Sequence, residues 1–214
     1  MTHSPTLRPP VVLAVLGAAA ILTGCTPAPA PTATASANPP VDVAVEWEVA
    51  PSVALETDPW VIAARESDVG YRLAVNALDF TADEFVGTRT AELARFQWTA
   101  WRANGDPVVY AGPSILAPLG VEVAASGTEA TLSFCEAPNS DWVITADAEP
   151  AYSLSTGRVT ELRMVTSDDG ALVLEDRIPS TLDCDPAGAA VGRFDPVPEP
   201  RASVDQGDVR PYEG

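Results

Sequence analysis

The reactive side chains of this 214-residue sequence are three thiols, one imidazole and an excess of carboxylates. The thiols are Cys25, Cys135 and Cys184, the imidazole is His3, and 30 Asp and Glu stand against 12 basic residues, all of them Arg. A thiolate can attack an electrophile, take a covalent group, bind a metal or pair into a disulfide, and its surroundings decide which. Cys25 stands at a sharp change of composition. Before it runs an apolar stretch containing Val11, Val12, Leu13, Val15, Leu16, Ile21 and Leu22; after it comes Thr26-Pro27-Ala28-Pro29-Ala30-Pro31. Such a run builds no core, which argues against Cys25 as a buried structural thiol. The carboxylates are scattered and form no Asp-x-Asp-x-Asp-Gly calcium loop, so neither a metal site nor a cofactor is expected.

The segment ahead of Cys25 sets its setting. Arg8 gives a positive N-terminal region, and the apolar stretch that follows is shorter than the roughly 20 residues needed to cross a bilayer core. Together they read as an export signal over residues 1–24. The motif Leu22-Thr23-Gly24-Cys25 resembles the lipobox of bacterial lipoproteins: an aliphatic residue, a small one, Gly or Ala, then the cysteine. The resemblance implies a diacylglyceryl group on the Cys25 thiol and cleavage between Gly24 and Cys25. It also implies a mature chain lipid-anchored to the extracytoplasmic face of the cell membrane, where two acyl chains anchor stably and one would not. The alternative is a short uncleaved anchor, but Gly17, Gly24 and Cys25 sit where a spanning helix would continue.

Cleavage would remove His3, and a mature chain without imidazole excludes Ser-His-Asp and Cys-His catalysis and imidazole-based zinc sites. It would also remove Arg8, taking the formal charge from -18 to -19. A surface that acidic repels phosphate backbones and anionic headgroups, so nucleic acid is not an expected partner and the membrane is met only through the lipid on Cys25.

Residues 25–48 read as the lipidated cysteine and a Pro/Ala/Thr-rich tether, extended and solvated because proline fixes φ and lacks a donor. Near its end, Val41-Asp42-Val43-Ala44-Val45-Glu46-Trp47-Glu48-Val49 alternates as an edge strand would, and Trp47 can mark the start of packing. Asp58 before Pro59 predicts a helix start, with Trp60, Ala64, Tyr71, Ala74 and Leu78 along one face; Gly70 predicts either a break or a close approach. Thr81-Ala82-Asp83-Glu84 matches a capping box. A further helix is expected over 91–103, with Leu93, Phe96 and Ala100 on one face, Ala94, Trp98 and Trp101 on another, and Asn104-Gly105 as its stop. Trp98 and Trp101 could line a ligand cavity or pack a small core.

From there the apolar period becomes two: Leu119, Val121 and Val123, then Ala130, Leu132 and Phe134 after Ser126-Gly127, then runs at 159–165 and 171–177 joined through Asp169-Gly170. Helices followed by an antiparallel sheet predict an α+β domain over 49–186. Residues 187–214 carry Pro196, Pro198, Pro200 and Pro211 among charges and read as an acidic, solvated tail, with 191–194 able to pack on the domain.

Several of these motifs resemble the nuclear transport factor 2-like (cystatin-like) superfamily, in its exported lipoprotein members. They are Pro59-Trp60 opening a long helix, Asp79-Phe80-Thr81 leading to the second, the strand Ala130-Thr131-Leu132-Ser133-Phe134-Cys135, the late Asp169-Gly170-Ala171-Leu172-Val173-Leu174, and Cys184. The resemblance covers about 50–186 and implies N-terminal helices packed on a curved antiparallel sheet, forming a cone. One departure is Ala171, where the family often has an aromatic residue. With Cys25 lipidated, Cys135 and Cys184 are the two cysteines left in an oxidising compartment, which favours a disulfide over two buried free thiols.

In that superfamily the cone mouth can hold a small apolar ligand, and some members place carboxylates inside it for acid-base catalysis. Asp79, Glu161, Arg163 and Asp176 are the candidates for such chemistry, but Arg163 points outward if Leu162 and Met164 face the core. No catalytic residue is assigned, and an enzyme is not the expected reading. The expected function is protein interaction or scaffolding at the cell envelope through the open sheet face, with an envelope protein or a second copy as partner. The alternative is capture of a small apolar ligand, with Trp60, Tyr71, Trp98 and Trp101 as pocket walls. A contiguous apolar pocket would favour capture, an exposed apolar sheet face would favour scaffolding, and buried paired carboxylates would favour catalysis. Cys25→Ala should be released to the medium or accumulate uncleaved on cell fractionation; a processed, membrane-bound variant would contradict lipidation at Cys25.

Overall fold

The computed structural model describes residues 44–48, 54–105, 107–137, 143–145 and 150–214. The export signal, Gly24, Cys25 and the Pro-rich stretch lie outside these. The described chain is α+β: a helical layer packs on a curved, four-stranded antiparallel sheet, with a separate two-stranded sheet formed by the first and last strands.

Helix α1, Pro59–Ala77, starts where Asp58 Oδ1 accepts the Trp60 N–H at 2.9 Å and Pro59 occupies the first turn, where a missing N–H costs nothing. It ends at Leu78, which adopts a left-handed φ of 55° and returns its N–H to the carbonyls of Ala74 and Val75. Gly70 does not break it. A Cβ there would lie 1.8 Å from the Glu84 carbonyl oxygen, so this glycine lets helix α2, Asp83–Val86, pack directly on α1. The expected capping box is absent, because Asp79 Oδ1 takes both the Thr81 N–H (3.0 Å) and its hydroxyl (2.7 Å), leaving Ala82 as a cap without a side-chain bond. Helix α3, Ala91–Asn104, is capped by Thr90 and stopped by Gly105 at φ 63°. Its Leu93, Ala94 and Trp101 are buried, whereas Phe96 and Ala100 are exposed.

Strands β2 (Leu116–Val123), β3 (Glu129–Glu136), β4 (Gly157–Thr166) and β5 (Leu172–Cys184) form a meander in chain order. Alternation turns Ala130, Leu132, Phe134, Leu162 and Met164 toward Trp60, Val61 and Ala64 of α1, forming the main core. The opposite face carries Thr131, Ser133, Glu161 and Arg163 and is polar, with Arg163 facing outward beside buried Leu162 and Met164. Register shifts at Pro118/Gly120, Arg158/Thr160 and Arg163/Met164 bend the sheet. The first makes Leu119 an extra residue, so it is exposed instead of sharing a packed face with Val121; Val123 is exposed at the end of the same ladder.

Cys135 and Cys184 form a disulfide, with Cα atoms 5.7 Å apart. It spans β3 to β5 across the first residue of β4, Gly157, where a Cβ would meet Cys135 Sγ at 2.6 Å. Closing a loop of 49 residues is worth roughly 4 kcal/mol in the chain-entropy model.

Two expected boundaries need correction. The edge strand expected within 41–49 forms, since β1 (Ala44–Glu48) pairs antiparallel with β6 (Val191–Asp195), Trp47 opposite Gly192, so residues 44–48 belong to the folded domain and not to the tether. Residues 187–214 are not a solvated tail. Val191 and Phe194 are buried, Val209 and Tyr212 pack on the Phe80 and Phe85 cluster, and Arg201 Nη2 bonds the Val75 and Asn76 carbonyls at the end of α1 (2.8 and 2.7 Å). The apolar residues there are few, but open helix-end carbonyls give the intervening polar groups partners.

Gly70→Ala should destabilise the domain by about 3 kcal/mol in urea unfolding, since overpacking against backbone outweighs the helix-propensity gain. Gly120→Ala, whose Cβ would meet nothing within 4 Å, should change stability by less than about 0.5 kcal/mol.

Candidate functional site

The inward face of α1 is not uniformly apolar: Ser67, Asp68 and Arg72 are buried on it beside Ala63, Ala64 and Ala74. Asp68 and Arg72 are one helical turn apart and pair directly, Nε to Oδ2 2.9 Å. Ser114, just before β2, donates its N–H to Asp68 Oδ2 at 2.5 Å and its hydroxyl to Oδ1 at 2.8 Å. Arg177 of β5 reaches Asp68 Oδ1 at 3.3 Å, and its other terminal nitrogen bonds Glu136 of β3. Glu136 in turn accepts from Thr160 Oγ1 at 2.9 Å. A carboxylate-guanidinium-carboxylate chain therefore ties α1 to three strands.

Burial alone would raise the Asp68 pKa, but the Arg72 and Arg177 charges and the Ser114 hydrogen bonds outweigh it and hold the carboxyl down at about 2. Burial works against the charge of Arg177, yet Glu136 and Asp68 raise its pKa. Each Asp68 oxygen already accepts two hydrogen bonds. No lone pair remains to take a proton from water, so this ionised carboxylate acts as an anchor and not as a general acid or base.

Beside this network a cleft of about 220 Å³ opens between α1, α3 and the sheet. Ala64, Leu116, Leu162 and Leu174 form its apolar wall, Ser67, Asp68, Arg89 and Arg177 its polar one, with exposed Phe96 at the rim. Arg89 precedes α3 in a segment that bridges to Leu174 of β5. Its guanidinium lies 4.2 Å from the Phe85 ring centroid and donates to the carbonyls of Phe85 (2.6 Å) and Ser67 (2.5 Å), to Thr88 Oγ1 (3.2 Å) and to Gln97 Oε1. Burial lowers its pKa to about 10 against the opposing pull of Asp68 and Tyr71. Tyr71, also on the cleft, is pushed up to about 12 by burial and Tyr110 despite Arg72 and Arg89.

Of the expected pocket walls, Tyr71 alone lines this cleft. Trp60 is in the main core, and Trp98 and Trp101 stack 5.7 Å apart against Phe80 in a second core, so these three indoles pack the domain. The expected acid-base candidates do not converge. Asp79 pairs with Arg210 beyond the end of α1 at 2.6 Å; Arg163 pairs with Glu175 at 3.1 Å on the outer face, where Glu161 is also exposed; Asp176 accepts the Arg177 N–H at 2.8 Å. Among the described residues, no group of three or more His, Cys, Asp or Glu is placed to hold a metal ion. Comparison with protein-family models, with curated proteins and with solved structures finds no match to this chain.

Of the residues that build the site, the sequence points to Tyr71 but not to Ser67, Asp68, Arg89, Ser114 or Arg177. The one local signal was the Asp68/Arg72 pair straddling Gly70 on an otherwise apolar helix face; Arg89, Ser114 and Arg177 meet it only through the tertiary fold.

Because the Asp68 pKa is lowered in the folded state, its stabilisation is present above the ordinary carboxylate pKa and lost as pH falls toward 2. Wild type should exceed Asp68→Asn in urea stability at pH 6. The gap should narrow by roughly 2 kcal/mol between pH 5 and pH 2.

Proposed function

We propose that this chain is an exported lipoprotein, held at the extracytoplasmic face of the cell membrane through lipid on Cys25, whose nuclear transport factor 2-like domain binds a small molecule in the cleft between α1, α3 and the sheet. The observation that carries the reading is the cleft itself: an apolar wall, mostly from the sheet with Ala64 of α1, and a polar wall from α1, Arg89 and Arg177, both on packed elements. Sites of that kind, concave and mostly apolar with a few fixed polar groups, are how proteins hold small ligands. The superfamily assignment is supported by the element order, helices followed by a bent antiparallel meander, together with the motifs at Pro59-Trp60 and Asp169-Gly170.

Catalysis is the weaker reading, because Asp68 is held ionised with its lone pairs occupied and neither Asp79 nor Asp176 reaches the cleft. Scaffolding through the sheet would use an exposed apolar face, and here that face carries Thr131, Ser133, Glu161 and Arg163. What favours scaffolding is the far end of edge strand β5, where Ile178 and Leu182 are exposed; a second copy or an envelope protein could cover them.

Native mass spectrometry of the detergent-extracted full chain separates these readings. The covalent lipid mass should persist on denaturation, while an additional low-mass adduct should be lost; a bare monomer would oppose ligand binding, and a bare dimer would favour scaffolding.

A further inference from the structure

The charges around the cleft do not balance. Arg72, Arg89 and Arg177 contribute three guanidiniums, and Asp68 and Glu136 two carboxylates. Arg72 and Arg177 are paired with those acids, whereas Arg89 has no carboxylate within ion-pair distance among the described residues. Arg89 is nevertheless 4% exposed, and all four groups that accept its hydrogen bonds are neutral. Buried charges are ordinarily paired, because dipoles repay only part of the lost hydration. One Nη1 hydrogen remains uncommitted. Ser67 gives a second, independent indication. It is fully buried and lines the same cleft, and its Oγ has no hydrogen-bond partner among the described residues, although its carbonyl holds Arg89. An unpaired cation and an unused hydroxyl meet on one wall, opposite Leu116, Leu162 and Leu174.

Resting on the reading of this cleft as a small-molecule site, we infer that its ligand is a small monocarboxylate, with the head group on Arg89 and the Ser67 hydroxyl and the apolar body against Leu116, Leu162 and Leu174. A carboxylate would supply the missing negative charge and accept from both donors through charge-assisted hydrogen bonds. A single charge fits better than two: Asp68 and Glu136 stand nearby, and the whole chain carries -18, so a phosphate dianion meets more repulsion than one guanidinium offsets. The volume, about 220 Å³, exceeds the roughly 150 Å³ that accommodates benzene, which sets the body at the size of a phenyl or short alkyl group.

Isothermal titration calorimetry of the full chain with benzoate and hexanoate, each against its neutral amide, tests this directly. The carboxylates should bind at least tenfold more tightly than benzamide and hexanamide. Ser67→Ala should weaken carboxylate binding about fivefold without lowering Tm, since the deleted hydroxyl bonds nothing in the fold. Arg89→Gln should abolish the preference for charge; should it fail to fold, the acid-amide comparison and Ser67→Ala decide. Amides binding as tightly as acids would overturn the inference while leaving a neutral small-molecule site. Binding of neither class would overturn it as well, and the native mass spectrum would then decide separately whether the cleft holds any ligand.

Discussion

A carboxylate buried in an apolar interior needs enough partners to replace its water, and Asp68 draws its partners from across the fold. Arg72 comes from its own helix, Ser114 from the segment that leads into β2, and Arg177 from β5, which brings Glu136 of β3 with it. No two of these elements can shift without breaking a charged hydrogen bond in a low-dielectric setting, where such a loss is costly. The network therefore fixes the distance between α1 and the sheet. The cleft exists because that distance is set by a polar bridge at one place and by apolar packing at another.

Close backbone contact does the same work where side chains are absent. Gly70 lets α2 lie on α1, and from there the chain delivers Arg89 to the cleft. Gly157 leaves room for the disulfide to cross β4. Arg89 in turn hydrogen-bonds the Phe85 carbonyl of α2 and the Ser67 carbonyl of α1, so the group that gives the cleft its charge is also part of the joint between these helices.

The parts legible in the sequence were those governed by local rules. Asp58 and Pro59 set the start of α1, Gly105 the end of α3, and Asp169-Gly170 the β4-β5 turn, each through backbone preferences that act over a few residues. Alternation marks the inner face of β3, and on β4 it sets Arg163 on the face opposite Leu162 and Met164. Misreadings have two sources: a competing local bond, where Asp79 two residues upstream captures the Thr81 hydroxyl, and cross-chain contacts, where a shift in register puts Leu119 on the outside and Arg201 of the proline-rich C-terminal residues finds acceptors at the end of α1. The tryptophans of α3 stay open between cavity and core in the sequence for a related reason. Spacing places Trp98 and Trp101 together on α3, but whether such a pair faces a cavity or a core depends on Phe80 and Val209, which arrive from distant parts of the chain. Arg89 and Arg177 carry no local mark at all.

The pairing of β1 with β6 joins the first described strand to the last, Ala44 opposite Asp195. Synthesis delivers β1 before everything it packs with, and β6 almost last. The ladder closes the longest loop in the fold, so its entropy is recovered only after the intervening sheet has formed. Until then Val45 and Trp47 remain without the strand that covers them. The emerging chain thus carries an unpaired strand edge at its leading end, and the order in which its residues appear, as much as their final contacts, determines how long that edge stays open to other chains.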